Sequence, residues 1–193
     1  MKLFLASLKP SFISLALLTL LLGIIYPLFI YGIGQLFFHK HANGSLLYKN
    51  GTVVGSEWIA QGFSKAEYFH PRPSSAGTDG YDGANASGSN LGPTSQKLFD
   101  ALQKRAADYR SENNLSSNTL IPADAITTSG SGLDPHISLA NALLQAPRVA
   151  SARHLSEEKV RDLISNYSEG ATLWLFGEAR VNVLRINLAL DEL

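Results

Sequence analysis

The stretch from Ser11 to Phe38, SFISLALLTLLLGIIYPLFIYGIGQLFF, contains no charged side chain. A helix rises about 1.5 Å per residue and the hydrocarbon core of a bilayer is about 30 Å thick, so roughly 20 apolar residues cross it. This run exceeds that length, and a membrane span is the expectation. The core helix of a soluble fold seldom runs so far without a charge. A cleavable signal peptide would suit the basic Lys2 and Lys9, but its apolar core is normally about 7 to 15 residues and ends at a small-x-small site, which does not follow here. The run is therefore read as an uncleaved anchor between a short head, residues 1–10, and one ordinary domain, residues 39–193.

Charge orients this anchor. Lys2 and Lys9 precede it and every Asp and Glu follows it, the first being Glu57. The excess of positive charge on the amino-terminal flank favours a cytoplasmic N-terminus and a domain on the far side of a bacterial inner membrane, in the periplasm. Fourteen basic residues then face sixteen acidic ones in the domain, a net charge of −2, which gives no electrostatic case for binding nucleic acid or anionic lipid. The chain has no cysteine, which removes disulfides, thiolate nucleophiles and thiolate metal sites together. Within the span, Tyr26 and Tyr31 suit the second interface and Pro27 predicts a kink. Ser14, Thr19, Gly23 and Pro27 are the residues expected to pack against a partner helix.

After the anchor the pattern mixes both regular structures. Asn50 to Phe63 joins a turn-forming Asn-Gly to Val53, Val54, Trp58 and Ile59, which predicts strands, with a hairpin pivot near Gly55 and Ser56. Pro71 to Pro93 is rich in Gly, Ser, Asn and Asp; it predicts an ordered surface loop pinned by Tyr68, Phe69 and Tyr81. Leu98, Leu102, Ala106 and Tyr109 have helical spacing and predict a helix ending near Asn113 and Asn114. A short extended segment from Ile121 to Ile126 follows, then the turn TTSGSGLDPHIS and a helix carrying Leu139, Leu143 and Leu144. Asp134 before Pro135 fits that helix's N-cap, and Pro147 would stop it or start a fresh one. Ser156 starts another helix, stapled by Leu155 and Val160, with Val160, Leu163, Ile164 and Tyr167 as its apolar stripe. VNVLRINLAL reads as a buried strand. The expected class is α+β: a single N-terminal transmembrane helix followed by one extracytoplasmic mixed α/β domain.

Catalytic chemistry finds little support. Neither GSNLGP nor SGSG ends in the Gly-Lys-Ser/Thr of a phosphate-binding loop. Ser131, Asp134 and His136 superficially resemble a hydrolase set, yet they crowd one turn and lack a G-x-S-x-G elbow. His39 and His41 are read as interfacial polar residues before metal ligands. The turns around Gly88, Gly130 and Gly132 could gather backbone N–H groups into an anion nest, or simply supply tight turns. Arg72, held between two prolines, is a stiffly presented charge. Arg148 and Arg153 are five apart, off a common helical face, and either could meet a carboxylate.

Five blocks occur in order along the chain: YFHPRPSSAG, SGSNLGPTS, TTSGSGLDPHIS, APRVASAR and GEARVNVLRINLALD. With the preceding span they resemble the C subunit of the bacterial Kdp potassium-transporting P-type ATPase, over essentially the whole chain. The resemblance implies a complex that imports potassium using ATP. In it a channel-like subunit carries the ion, a P-type ATPase subunit hydrolyses ATP, and a very small hydrophobic subunit can accompany them. The C subunit is implied to be non-catalytic, without a cofactor or metal of its own. It is implied to be required for assembly and to act as a catalytic chaperone that raises the ATP affinity of the ATPase subunit. A domain outside the membrane must relay such an effect through its partners. The residues expected to dock on them are Arg72, Ser87, Gly88, Ser89, Asn90, Ser129, Gly130, Ser131, Gly132, Asp134 and His136. Competing readings are a stand-alone anchored periplasmic domain binding a solute at SGSG, and an anchored serine hydrolase using Ser131.

Overall fold

The computed structural model describes residues 2–193, with side chains from Ser7 onwards; Met1 and the Lys2 side chain, part of the expected head, lie outside the described residues. The chain divides into two units, one ending at Leu46 and the other running from Leu47 to Leu193.

The first unit is helical: α1 (Lys2–Leu20), a π turn (Leu21–Ile25), α2 (Tyr26–Phe37) and the short turn α3 (His39–Ala42). Ser7–Phe37 is an apolar run of 31 residues with mean hydropathy 2.5, long and apolar enough to cross a membrane. The helix begins inside the expected head, so head and span form one element. Pro27 does not act alone. Its ring would press on the carbonyl four residues back, at Gly23, and Gly23 lies in the π turn, where the Tyr26 N–H reaches Leu21 O instead of the usual i−4 partner. One wide turn accommodates the proline.

The second unit is α+β, as expected. It opens with a hairpin of β1 (Leu46–Lys49), all but its first residue in this unit, and β2 (Thr52–Ser56). The pivot is Asn50-Gly51, with φ of 51° and 77°, and not Gly55-Ser56. A two-residue loop with both φ positive matches strand twist, and Asn-Gly is the pair that tolerates it. Gly55 instead lies within β2, where Gln61 crosses its bare Cα to donate to Val54 O at 2.8 Å. An irregular segment then leads to α4 (Gln96–Glu112), α5 (Ala123–Ile126), β3 (His136–Ser138), α6 (Leu139–Arg153), α7 (Glu157–Asn166), β4 (Ser168–Glu169), β5 (Arg180–Asn182) and α8 (Val183–Leu190). The sheet order is β3-β5-β4, antiparallel, with Val181 opposite both Ile137 and Ser168.

Four expectations are corrected here. Residues 123–126 make a helical turn, not an extended segment; Asp124 at its start accepts from Ser138 N–H and Ser138 Oγ, both at 2.8 Å. The N-cap of α6 is Ser138, which accepts from Asn141 N–H, while Asp134 accepts from His136 N–H two residues on and turns the chain into β3. Pro147 lies inside α6, because Ala142, Ala146, Val149 and Ala150 bury a face on both sides of it. VNVLRINLAL is mostly helix α8. Asn182 caps it by accepting from Arg185 N–H at 3.0 Å, and Val183, Ile186, Asn187 and Leu190 form a helical stripe.

The start of α7 follows the sequence closely, with Ser156 accepting from Lys159 N–H. Val160 and Ile164 face the core with Phe69, Ile137, Val149, Val181, Ile186 and Leu190. Each such side chain contributes about 1.5 to 3 kcal/mol relative to exposure.

A candidate functional site on a rim of two glycine-serine loops

Irregular chain becomes ordered only when something satisfies its backbone, and at residues 66–70 side chains do so. Phe69 is fully buried; its N–H donates to Asn187 Oδ1 at 2.8 Å and its carbonyl accepts from Asn187 Nδ2 at 2.9 Å. His70 makes the same pair of bonds with Gln145, at 2.7 and 3.1 Å. Two amides, from α8 and α6, thus stand in for neighbouring strands. Arg148 donates to the carbonyls of Ala66 and Tyr68 at 2.6 and 3.0 Å, and Arg153 to that of Glu67 at 2.7 Å. Both arginines therefore grip the same segment, although they lie well apart around α6. Only Arg153 also meets a carboxylate at hydrogen-bond distance, Asp191 at 2.8 Å. Lys49 and the Tyr68 hydroxyl reach the same Asp191, at 2.7 and 2.9 Å, which ties the hairpin to the end of α8.

From this clamp, Pro71-Arg72-Pro73 leads the loop out to the glycine-serine turns. Ser74 Oγ donates to Gly132 O at 2.6 Å and accepts from Tyr81 N–H at 2.8 Å. The Tyr81 hydroxyl donates to Arg72 O at 2.8 Å. Burial pushes this phenol up to about 12, so it remains a donor at neutral pH. Ser87 N–H donates to Ser131 O at 2.9 Å, and Ser87 Oγ to Ser75 O at 2.6 Å. The two loops, more than forty residues apart in sequence, are joined into one rim. A Cβ on Gly88 would lie 3.0 Å from Gly130 O; one on Gly132, where φ is +69°, would lie 2.7 Å from both Ala76 N and Ser87 O. Glycine is needed at 132 for both conformation and space.

The rim sorts the expected residues. Ser87, Ser89, Asn90, Gly130 and Ser131 face outward, Gly88 is half-buried, and Ser129 and Gly132 are buried. Three N–H groups of the turns are already engaged: those of Ser87, Gly132 and Leu133 donate to Ser131 O, Ser129 O and Ser131 Oγ. Beside the rim, Arg72, Asp134 and His136 line a cleft of about 230 Å³ together with Asp124, Glu178 and Arg180. Arg72 Nη1 lies 2.8 Å from Asp134 Oδ2, and Asp134 Oδ1 accepts from His136 N–H at 3.0 Å. Burial raises the Asp134 carboxyl, but hydrogen bonds from His136 and Arg72 outweigh it and hold the group down at about 2. Among the described residues no hydrogen bond joins Ser131 to His136, so a hydrolase relay is not assembled.

In the first unit Thr19 and Gly23 are one turn apart, and a Cβ on Gly23 would lie 3.9 Å from Thr19 Cγ2. Ser14, five residues before Thr19, is turned about 140° from it, and Pro27 lies beyond the π turn. All four are exposed. His39 and His41 are engaged locally, at 3.0 Å from Gln35 Oε1 and 3.1 Å from Ser45 Oγ.

Sequence reasoning missed Asn141, Gln145 and Asn187, and gave Arg148 a carboxylate where it meets two carbonyls and two amides. The signal was available: Asn141, Gln145 and Arg148 recur at i, i+4 and i+7 beside the apolar Ala142, Ala146 and Val149, so polar groups sit on the edge of a buried stripe.

Residues 8–192 match the family model described as K+-transporting ATPase, c chain. The chain is 56% identical over 186 residues to the "Potassium-transporting ATPase KdpC subunit" of Mycobacterium bovis (strain BCG / Pasteur), covering 96% of this chain and 98% of that one. It is 52% identical to the protein of that name from Beijerinckia indica over 183 residues, covering 95% and 92%. With the Rhodospirillum rubrum protein of the same name the identity is 50% over 188 residues, covering 97% and 96%.

Proposed function

Because the chain belongs to the family of potassium-transporting ATPase C chains, we propose that it docks on its partner subunits through the outward side of the glycine-serine rim. Its role in that complex is accessory. The observation that carries the docking reading is the Ser87 N–H to Ser131 O bond, which makes a single preformed surface out of two remote loops. A surface ordered before contact loses little conformational entropy on binding. Exposed polar side chains on an ordered backbone suit a partner of mixed polarity.

In this reading the first helix crosses the inner membrane with the N-terminus in the cytoplasm, and packs Thr19 and Gly23 on a channel-like subunit. The domain lies in the periplasm over that subunit's ion entrance. ATP is hydrolysed on the P-type ATPase subunit and potassium is the cargo of the channel-like one; the C chain holds neither. It supports assembly, and any rise in ATP affinity is a coupling free energy relayed through the partners. A catalytic-chaperone role of this kind requires no nucleotide contact.

The test is purification in mild detergent on a tag placed after Leu193. The P-type ATPase and channel-like subunits are expected to co-purify, with potassium-stimulated ATPase activity lost when this chain is omitted. Ser89→Arg with Gly130→Arg, both on open rim positions, should abolish co-purification while the domain's melting temperature is kept. A wild-type chain emerging alone and monodisperse would overturn the reading.

A further inference from the structure

Between β4 and β5 the chain leaves the sheet as Gly170-Ala171-Thr172-Leu173-Trp174-Leu175-Phe176-Gly177, without a charge. Thr172 N–H donates to Phe176 O at 2.8 Å and Phe176 N–H to Thr172 O at 2.9 Å, so the segment closes into a tip. On it Leu173 is 74% exposed, Trp174 95%, Leu175 77% and Phe176 62%. Elsewhere in the domain, exposed large apolar residues stand singly or in a pair. A run of four adjacent ones is a surface that water does not favour, and such patches mark contacts.

The backbone strengthens the point. Leu173 and Trp174 have φ of 54° and 58°. That left-handed region penalises bulky side chains and is relieved by Asn or Gly, the pair this chain places at Asn50-Gly51. At the tip the less strained residues are replaced by Leu-Trp, which accept the strain and present apolar area.

The tip has charged shoulders: Glu178 is exposed, and Arg180 Nη2 pairs with Glu169 Oε2 at 3.2 Å. A stable protein interface needs roughly 20–30 residues a side, and the tip supplies four. A lipid boundary does not, and it is where Trp rings settle. Residues 38–46 alone separate the apolar helix from the domain, and nine residues span at most about 30 Å. At that tether length the bilayer surface is present at high effective concentration, so a weak contact suffices.

We propose that Leu173–Phe176 is a second membrane contact, a tip that sinks into the headgroup boundary of the same bilayer that the first helix crosses. The inference rests on the reading of that helix as an anchor. Since the tip has no basic cluster, zwitterionic lipid is sufficient and salt does not release it.

The experiment uses the full chain with Trp58→Phe, which leaves Trp174 as the sole tryptophan, in phosphatidylcholine vesicles with and without bromines at shallow acyl positions. It is run on the chain alone and on the assembled complex. The expected result is blue-shifted Trp174 emission, quenched about twofold or more by the brominated lipid and unchanged at high salt. Chain that floats with the vesicles while Trp174 emits as in water and is quenched by iodide would keep the anchor and refute the tip contact. Trp174 shielded from iodide only in the complex, and untouched by bromines, would place the tip in a protein pocket and refute it as well. Chain that fails to float would overturn anchor and tip together.

Discussion

Replacing Asn187 by leucine removes one strand-like pair of bonds while keeping most of the volume. Asn187 is 1% exposed and Phe69 0%, so no water can take over the 2.8 and 2.9 Å bonds. One N–H and one C=O are left buried and unpaired, each costing about 1–3 kcal/mol. Asn187→Leu should therefore cost about 4 kcal/mol, a large fraction of the stability of a domain this size. Urea unfolding of the full chain in detergent micelles, followed by near-UV circular dichroism, measures it as a lower midpoint at unchanged slope. Asn187→Asp sharpens the test. A carboxylate still accepts from Phe69 N–H but opposes Phe69 O, and burial raises its pKa above the unfolded value. Its stability should be near wild type below the unfolded pKa, about 3.9, and fall as pH rises through the raised folded pKa. A loss below about 1 kcal/mol for Asn187→Leu, or a pH-independent Asn187→Asp, would refute the side-chain clamp.

Two glycines should separate strain from crowding. Gly51→Ala, at φ +77° with nothing within 4 Å of the new Cβ, should cost about 1 kcal/mol. Gly132→Ala also puts its new Cβ 2.7 Å from two backbone atoms and should cost about 3 kcal/mol or more, both read by thermal melts. Asp134, held at about 2 in the folded domain, adds stability above its unfolded pKa that is lost as pH falls from about 4 through about 2. Allowing for its partial exposure the term is about 1 kcal/mol, and Asp134→Asn should flatten that acid limb in urea midpoints taken across pH. Ser156→Ala removes the cap on Lys159 N–H and should lower stability by about 1 kcal/mol in the same melts.

What could be read from the residues alone was local. The apolar run, the Ser156 helix start and the ordered loop around Phe69 each follow from a short window. The hairpin was legible but its pivot was misplaced, because the Asn-Gly signal was read as an approach to a later turn. Val181, Val183 and Ile186 pointed to a strand, since β-branched residues favour extended chain; the Asn182 cap and the Val183–Leu190 stripe decided for helix. Pro147 argued for a break that burial on both sides overrules. At the rim, composition located two glycine-serine turns but could not say that Ser87 meets Ser131, because that pairing depends on distant helices. Asn141, Gln145 and Asn187 were passed over because such side chains usually face water.

The clamp at Phe69 and His70 separates where a shape is encoded from where it occurs. Asn187 and Gln145 read only backbone N–H and C=O, which every residue except proline provides in full. The path at residues 69–70 is thus specified by α6 and α8, Ser74, Tyr81 and Ser87 fix the loop further on with their own side chains, and the outward positions between are free to be chosen for what they touch. A transplant of residues 66–90 into another scaffold would lose its form, whereas new outward side chains grafted onto it in place would inherit a ready-made geometry.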